Sequence, residues 1–247
     1  MCFNLMIRLA WMACPMDDDF DLRGFSNRCR LFPLSRVVLF PHAVLPLHIF
    51  EPRYRQMTED ALATDKLVTI VQLQNAPGPA SNPGLGLPAI ESVGCIGRIL
   101  QHERLPDGCF NFLLLGRKRV RLTREIPSDK LYRIAKAEII DDLDDESDSD
   151  EPHRAELVAL FRRIFERHNE VDPYLAALLE NQQPMGILTD IIAHALGLPP
   201  IVKQRFLDEP RVGHRVEALR TILRQAVERD SQTQPAPKPF PPPFSVN

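Results

Sequence analysis

Short apolar blocks fill the first half of the chain, and longer helical stripes fill the second. Leu31, Val37, Val38, Leu39 and Phe40 are followed by Leu45, Leu47, Ile49 and Phe50, with Pro33, Pro41 and Pro46 between them. Such runs read as strands with the prolines at edges or bends, because proline cannot donate into a ladder. Pro52 suits the first turn of a helix, and Tyr54, Met57, Ala61 and Leu62 fall on one face of it. Leu67 to Leu73, with Val68, Ile70 and Val71, predicts a strand. Val93 to Leu105 and Phe110 to Ile126 predict a hairpin, since Asp107-Gly108 between them suits a tight turn. Leu131 to Ile140 predicts one more strand.

Beyond that point the period changes. Leu157, Leu160, Phe161, Ile164 and Phe165 recur at helical spacing. Pro184 opens a second helix with Leu188, Ile191, Ile192, Ala195 and Leu196 inward and Gly197 as its stop. Pro199 and Pro200 start a short helix through Phe206, and a last one runs from about Arg211 to Val227 on Val212, Val216, Leu219 and Leu223. Strands first and helices second predicts an α+β fold with segregated parts, not a doubly wound sheet.

Charge marks the boundary between the halves. Asp141 to Glu151 carries eight acids in eleven residues, which predicts a solvated linker. The expected organisation is a leader over 1–28, a β-rich lobe over 29–140, an acidic linker over 141–152, a helical lobe over 153–229 and a disordered Pro-rich tail over 230–247. That tail could dock an aromatic groove in polyproline form, but a disordered end is the expectation. Met16 is read as the true start, because three aspartates follow it at once. The apolar stretch before it is broken by Arg8 and has no basic cluster, so it does not read as a signal peptide. No apolar run approaches the roughly 20 residues of a spanning helix.

A net charge of -3 argues against a surface built as a whole for nucleic acid or anionic membrane. The five cysteines, Cys2, Cys14, Cys29, Cys95 and Cys109, are odd in number and form no CxxC pair, which points to a reduced, cytoplasmic setting. Cys95, His102 and Cys109 are spaced seven apart along the predicted hairpin and lack the close pairing of zinc ligands. No cofactor or metal is implied.

Two longer blocks carry a resemblance. Leu31-Phe32-Pro33-Leu34-Ser35-Arg36-Val37-Val38-Leu39-Phe40-Pro41 runs on to Leu45-Pro46-Leu47-His48-Ile49-Phe50-Glu51-Pro52-Arg53-Tyr54-Arg55. Gly94-Cys95-Ile96-Gly97-Arg98-Ile99, Leu105-Pro106-Asp107-Gly108, Leu113 to Gly116 and Arg119 form the second, with Leu188-Thr189-Asp190 as a weaker third. Together they resemble the LON substrate-binding domain of the Lon protease family, from about Cys29 to Arg229. His42 stands where that family often has glycine. The resemblance implies an N-terminal PUA-like β-barrel lobe followed by a C-terminal helical bundle lobe. It also implies recognition of protein substrates, a role that in full-length Lon proteases precedes an ATPase and a peptidase.

Neither of those activities has its motif here. No GxxxxGK[ST] loop exists to cradle phosphates, and Gly116-Arg117-Lys118 is the nearest fragment. Ser35, Ser92 and Ser128 lack the glycine-rich setting of a nucleophile. The expectation is a non-enzymatic binding module for unfolded or flexible protein segments, serving as an adaptor or regulator with a separate protease or chaperone as partner. Binding by exposed apolar surface, with strand addition at a sheet edge as one route, is the expected mode. Leu85, Leu87 and Ile90, in and beside the Pro- and Gly-rich stretch Asn75 to Pro88, are the candidate peptide contacts, against a reading of that stretch as a plain connector. Arg117, Arg119 and Arg121 are the candidates for an alternative RNA-binding function, against a solvated strand face. Glu51 and Arg55 are expected to be structural, Glu51 capping the helix and Arg55 pairing with Glu51 or Glu59.

Overall fold

The structure is a computed structural model that describes residues 25–74, 87–143, 150–166 and 183–232. Strands β1 (Arg28–Leu34), β2 (Val44–Ile49), β3 (Leu67–Leu73), β4 (Ile90–Arg104), β5 (Phe110–Ile126) and β6 (Ile134–Ile140) come first, interrupted by helix α1 (Pro52–Leu62). Helices α2 (Asp150–Glu166), α3 (Met185–Ala195), α4 (Pro200–Asp208) and α5 (Val212–Gln232) follow. The fold is therefore α+β, in the order the sequence predicts.

The six strands join in the order β2-β5-β4-β3-β1-β6, and β6 also pairs with β5. The length of β5 makes this possible. Its first part, Phe110 to Leu115, bonds β2, and its second part, Arg119 to Ile126, bonds β6. The pairings thus run from β5 through β4, β3, β1 and β6 back to β5. One apolar cluster takes residues from all five of these strands: Leu31, Val71, Ile96, Val120 and Ala137 are among them. A second and larger cluster joins Phe40, Ile70, Phe112 and Leu114 on the other face to Leu157, Phe161, Leu188 and Leu219 of the helices. Burying a side chain of that size contributes about 1.5–3 kcal/mol, so the helices are held by apolar area spread over the whole face.

Several local expectations change. Val38 to Phe40 is buried, and Val37 to Phe40 forms no strand. It packs beneath α3, where the Phe40 ring meets the His194 ring edge-on at 6.3 Å. His42 then turns the chain with φ +63, the left-handed conformation that glycine adopts at least cost. Glu51 holds the N-cap position of α1 without a side-chain cap, because its carboxylate accepts from Arg53 Nε at 2.9 Å. Arg55 donates to the Asp107 carbonyl at 3.2 Å, and Glu59 pairs with Arg104 at 3.3 Å. The start of the acidic run is anchored: Lys118 holds Asp141 at 3.1 Å, Asp142 reaches two buried arginines, and Leu143 bridges to Arg211. Residues 144–149 lie outside the described residues.

His194 gives the fold a pH dependence. Burial, then the nearby Lys203 charge, lower its pKa from 6.5 to about 4 against the opposing effect of a hydrogen bond that the ring donates to the Val38 backbone carbonyl. Between those values the unfolded chain binds a proton and the folded chain does not, so stability falls as pH drops from about 6.5 to about 4 and is unaffected above. The slope from this group is at most about 1.4 kcal/mol per pH unit. Urea melts of the wild type and His194→Gln across this window should show a shallower slope for the variant. Parallel slopes would refute the assignment.

Candidate functional site

The N-terminal turn of α1, the start of β1's partner β6 and the end of β5 meet around a groove of about 210 Å³. Tyr54 comes from α1, Pro33 from β1, Ile126 and Ile134 from the facing ends of β5 and β6, and Leu131 from the connection between them. Leu87, just before β4, completes the apolar wall. Leu131 is 62% exposed, so the wall presents an aliphatic side chain to solvent.

Hydrogen bonds to α1 hold that connection in place. Leu131 N–H donates to Gln56 Oε1 at 2.8 Å, and Tyr132 O–H donates to Asp60 Oδ2 at 2.7 Å. Burial, and next the bond to Asp60, push the Tyr132 hydroxyl up to about 12. Lys130 pairs with the same carboxylate at 2.8 Å. At the floor, Arg133 engages Glu125 with two donors at 2.8 and 2.5 Å and gives a third to the Pro88 carbonyl at 2.8 Å. Arg53 pairs with Glu51 and lies over the Tyr54 ring at 4.5 Å. Every cation of the groove is thus committed to a carboxylate of the chain itself. The larger part of the open lining is apolar.

The sequence candidates fare differently. Leu85 lies outside the described residues. Leu87 is half-buried in the groove wall. Ile90 is 6% exposed and belongs to the cluster enclosed by the strands, so it is no surface contact. Its side chain faces the inner cluster, which removes it from reach.

The arginine strand is also not the solvated face that alternation predicts. Ile96 faces Lys118 while Gly97 faces Gly116, so Arg117 is the extra residue of a bulge and the facing phase flips there. Arg117 is half-buried, Arg121 is exposed, and Arg119 is 3% exposed. Arg119 donates to Asp142 at 3.0 Å, to the Leu207 carbonyl at 3.2 Å and to Asp190 of α3. Arg215 of α5 completes the cluster, reaching Asp142 at 2.6 Å and Asp190 at 3.4 Å. Burial works against the Arg119 charge, and the two aspartates outweigh it. This cluster ties β5, the segment after β6, α3 and α5 together. Arg119 and Asp190 had a sequence signal through the resemblance, whereas Asp142 and Arg215 had none.

Nucleophile chemistry finds no support at the described cysteines, Cys29, Cys95 and Cys109. Burial pushes the Cys29 thiol up to about 11 and raises Cys95 and Cys109 as well. Thiols held protonated are poor nucleophiles. Among the described residues, no three His, Cys, Asp or Glu side chains are grouped to hold a metal, and no helix is long and apolar enough to cross a membrane.

Comparison with known proteins places this geometry. The family model of the ATP-dependent protease La (LON) substrate-binding domain matches residues 28–225. A Lon protease of Rhizobium meliloti (strain 1021) is 28% identical over 187 residues, covering 76% of this chain and 23% of that protein. A Lon protease of Escherichia coli (strain K12) is 26% identical over 198 residues, covering 80% of this chain and 25% of that protein. The chain thus spans about a quarter of the length of these relatives. In fold it is similar to a Lon N-terminal domain protein from Xanthomonas campestris, with TM-score 0.57, 24% identity and coverage of 78% of this chain and 96% of that one. It is likewise similar to the N-terminal domain of a Mycobacterium avium complex Lon protease, with TM-score 0.63, 16% identity and coverage of 80% and 98%.

Proposed function

Because this chain belongs to the LON substrate-binding domain family, we propose that it is a recognition module for unfolded or flexible protein segments and that the groove beside α1 receives them. The observation that carries the reading is the family match over 28–225, which is a match to a substrate-binding domain. The groove supports it by leaving apolar side chains open while its charges are internally paired. In the same reading the strand pairings that return to β5 are the PUA-like β-barrel lobe, and the helices from α2 onward are the helical lobe. The role is binding without catalysis, and the segment is passed to a separate protease or chaperone.

Strand addition is the less favoured mode. Among the described residues the open sheet edge is β2, which bonds only β5 there and carries Pro46 in its middle. A proline there removes one donor that an added strand would use.

Leu131→Asp tests the groove. The side chain is exposed, so the fold should tolerate the change. Loss of one aliphatic contact and introduction of a charge are expected to weaken binding of a labelled unfolded protein about tenfold. Fluorescence anisotropy reads this directly. Equal affinity of the variant and the wild type would remove the groove from the proposal.

A further inference from the structure

The apolar groove does not stop at Ile126 and Ile134. These residues face each other across the β5–β6 ladder, and the next pair along the same face is Arg124 opposite Lys136. Two residues along a strand cover about 7 Å. Lys136 is also the register partner of Arg28 on β1. Arg28, Lys136 and Arg124 therefore form one row of cations across three neighbouring strands, and all three are exposed. At about 4.8 Å between strands the row spans roughly 10 Å.

Nothing in the described part of the chain neutralises this row. None of the three side chains makes a hydrogen bond or ion pair among the described residues. Glu138, on the same face of β6, stands opposite Arg121, and Asp65 is bound to Arg30. Like charges directly opposite one another destabilise a sheet. A chain of net charge -3 that sets three cations in one line carries this cost with no counter-charge bound to them among the described residues. The groove next to it shows the opposite arrangement, with Arg53, Lys130 and Arg133 each held by a carboxylate.

We propose that groove and row form one bipartite site. The bound segment sets an apolar side chain in the groove and a carboxylate, two or three residues further along an extended chain, on the Arg28–Lys136–Arg124 row. This rests on the groove reading above and adds a selectivity to it: an acidic residue beside the apolar anchor. Single-stranded nucleic acid fits the row less well, because no exposed aromatic accompanies it on these strands to stack a base.

Anisotropy on the full chain with two labelled extended peptides tests the proposal. One carries a leucine anchor followed by glutamine, and the other has glutamate in that place. The glutamate peptide is expected to bind about fivefold more tightly. The advantage should vanish in about 0.5 M salt and in the Arg124→Gln, Lys136→Gln variant, while the glutamine peptide binds as before. The variant relieves a like-charge contact, so its Tm should equal or exceed that of the wild type, which separates lost binding from unfolding. Equal affinity of the two peptides overturns the bipartite site and leaves the groove standing. Failure of both peptides to bind overturns the groove reading and this proposal with it. Tighter binding of a single-stranded oligonucleotide through the same row overturns it in favour of a nucleic-acid ligand.

Discussion

Arg119→Ala is expected to lower the unfolding free energy by about 3–5 kcal/mol, the range for breaking a buried ion pair from one side. The cost comes from what is left behind. Asp190 is 1% exposed and would keep only Arg215, at 3.4 Å. The Leu207 carbonyl and one oxygen of Asp142 would each lose a donor as well. Replacing both partners is a different experiment. Arg119→Met with Asp190→Leu removes the stranded charge, and it should cost less than the single alanine change. Urea unfolding of the single and double variants gives the comparison. A loss below about 1 kcal/mol for Arg119→Ala would mean that the cluster is solvated and that the arginine strand is a surface feature after all. The same reasoning bears on any nucleic-acid test of this strand. Of the three arginines, Arg121 is the exposed one and the one to change in such a test.

Gly116→Ala should cost about 3 kcal/mol, the upper part of the range for overpacking. A Cβ at this position would sit 2.0 Å from the Phe40 carbonyl oxygen, 2.9 Å from its carbonyl carbon and 3.2 Å from Cys95 Sγ. Two of these three atoms are backbone and cannot rotate aside. The segment that would have to retreat is bonded to the same glycine. His42 N–H donates to the Gly116 carbonyl at 2.8 Å, and Gly116 N–H donates to the Ala43 carbonyl at 2.8 Å. Any retreat stretches both bonds and lifts Phe40, which is fully buried, from its contact with α3. Equilibrium unfolding would read the loss. A negligible change would show that residues 40–43 move freely against β5.

Elements whose signal is local were legible in the sequence. Leu67–Leu73 forms a strand with the predicted bounds, and Asp107-Gly108 makes the hairpin turn with φ +82 at the glycine. The helical stripes of α2, α3 and α5 bury the residues the 3.6 period selects, such as Leu157, Phe161, Leu219 and Leu223. The long blocks around Pro41 and Gly94 carried the family. What failed depended on partners far away in sequence. Alternation placed three arginines on one face, and a bulge opposite Ile96 and Gly97 undid it. Composition makes the acidic run a linker and says nothing of the two buried arginines, far along the chain, that hold Asp142. Ile90 looked like an exposed residue next to a loop, although it closes the inner cluster. The row of Arg28, Lys136 and Arg124 exists only through register, and no reading of neighbours along the chain assembles it.

The return of the pairings to β5 also dictates the order in which the chain can fold. β3, β4 and β5 are joined by antiparallel pairings close in sequence, so they can assemble early. β1 must wait for β6, roughly a hundred residues later. During synthesis its free edge stays open until β6 has emerged, and an open apolar strand invites the wrong partner. The same chain read here as a receptor for unfolded segments therefore spends its own synthesis as one of them.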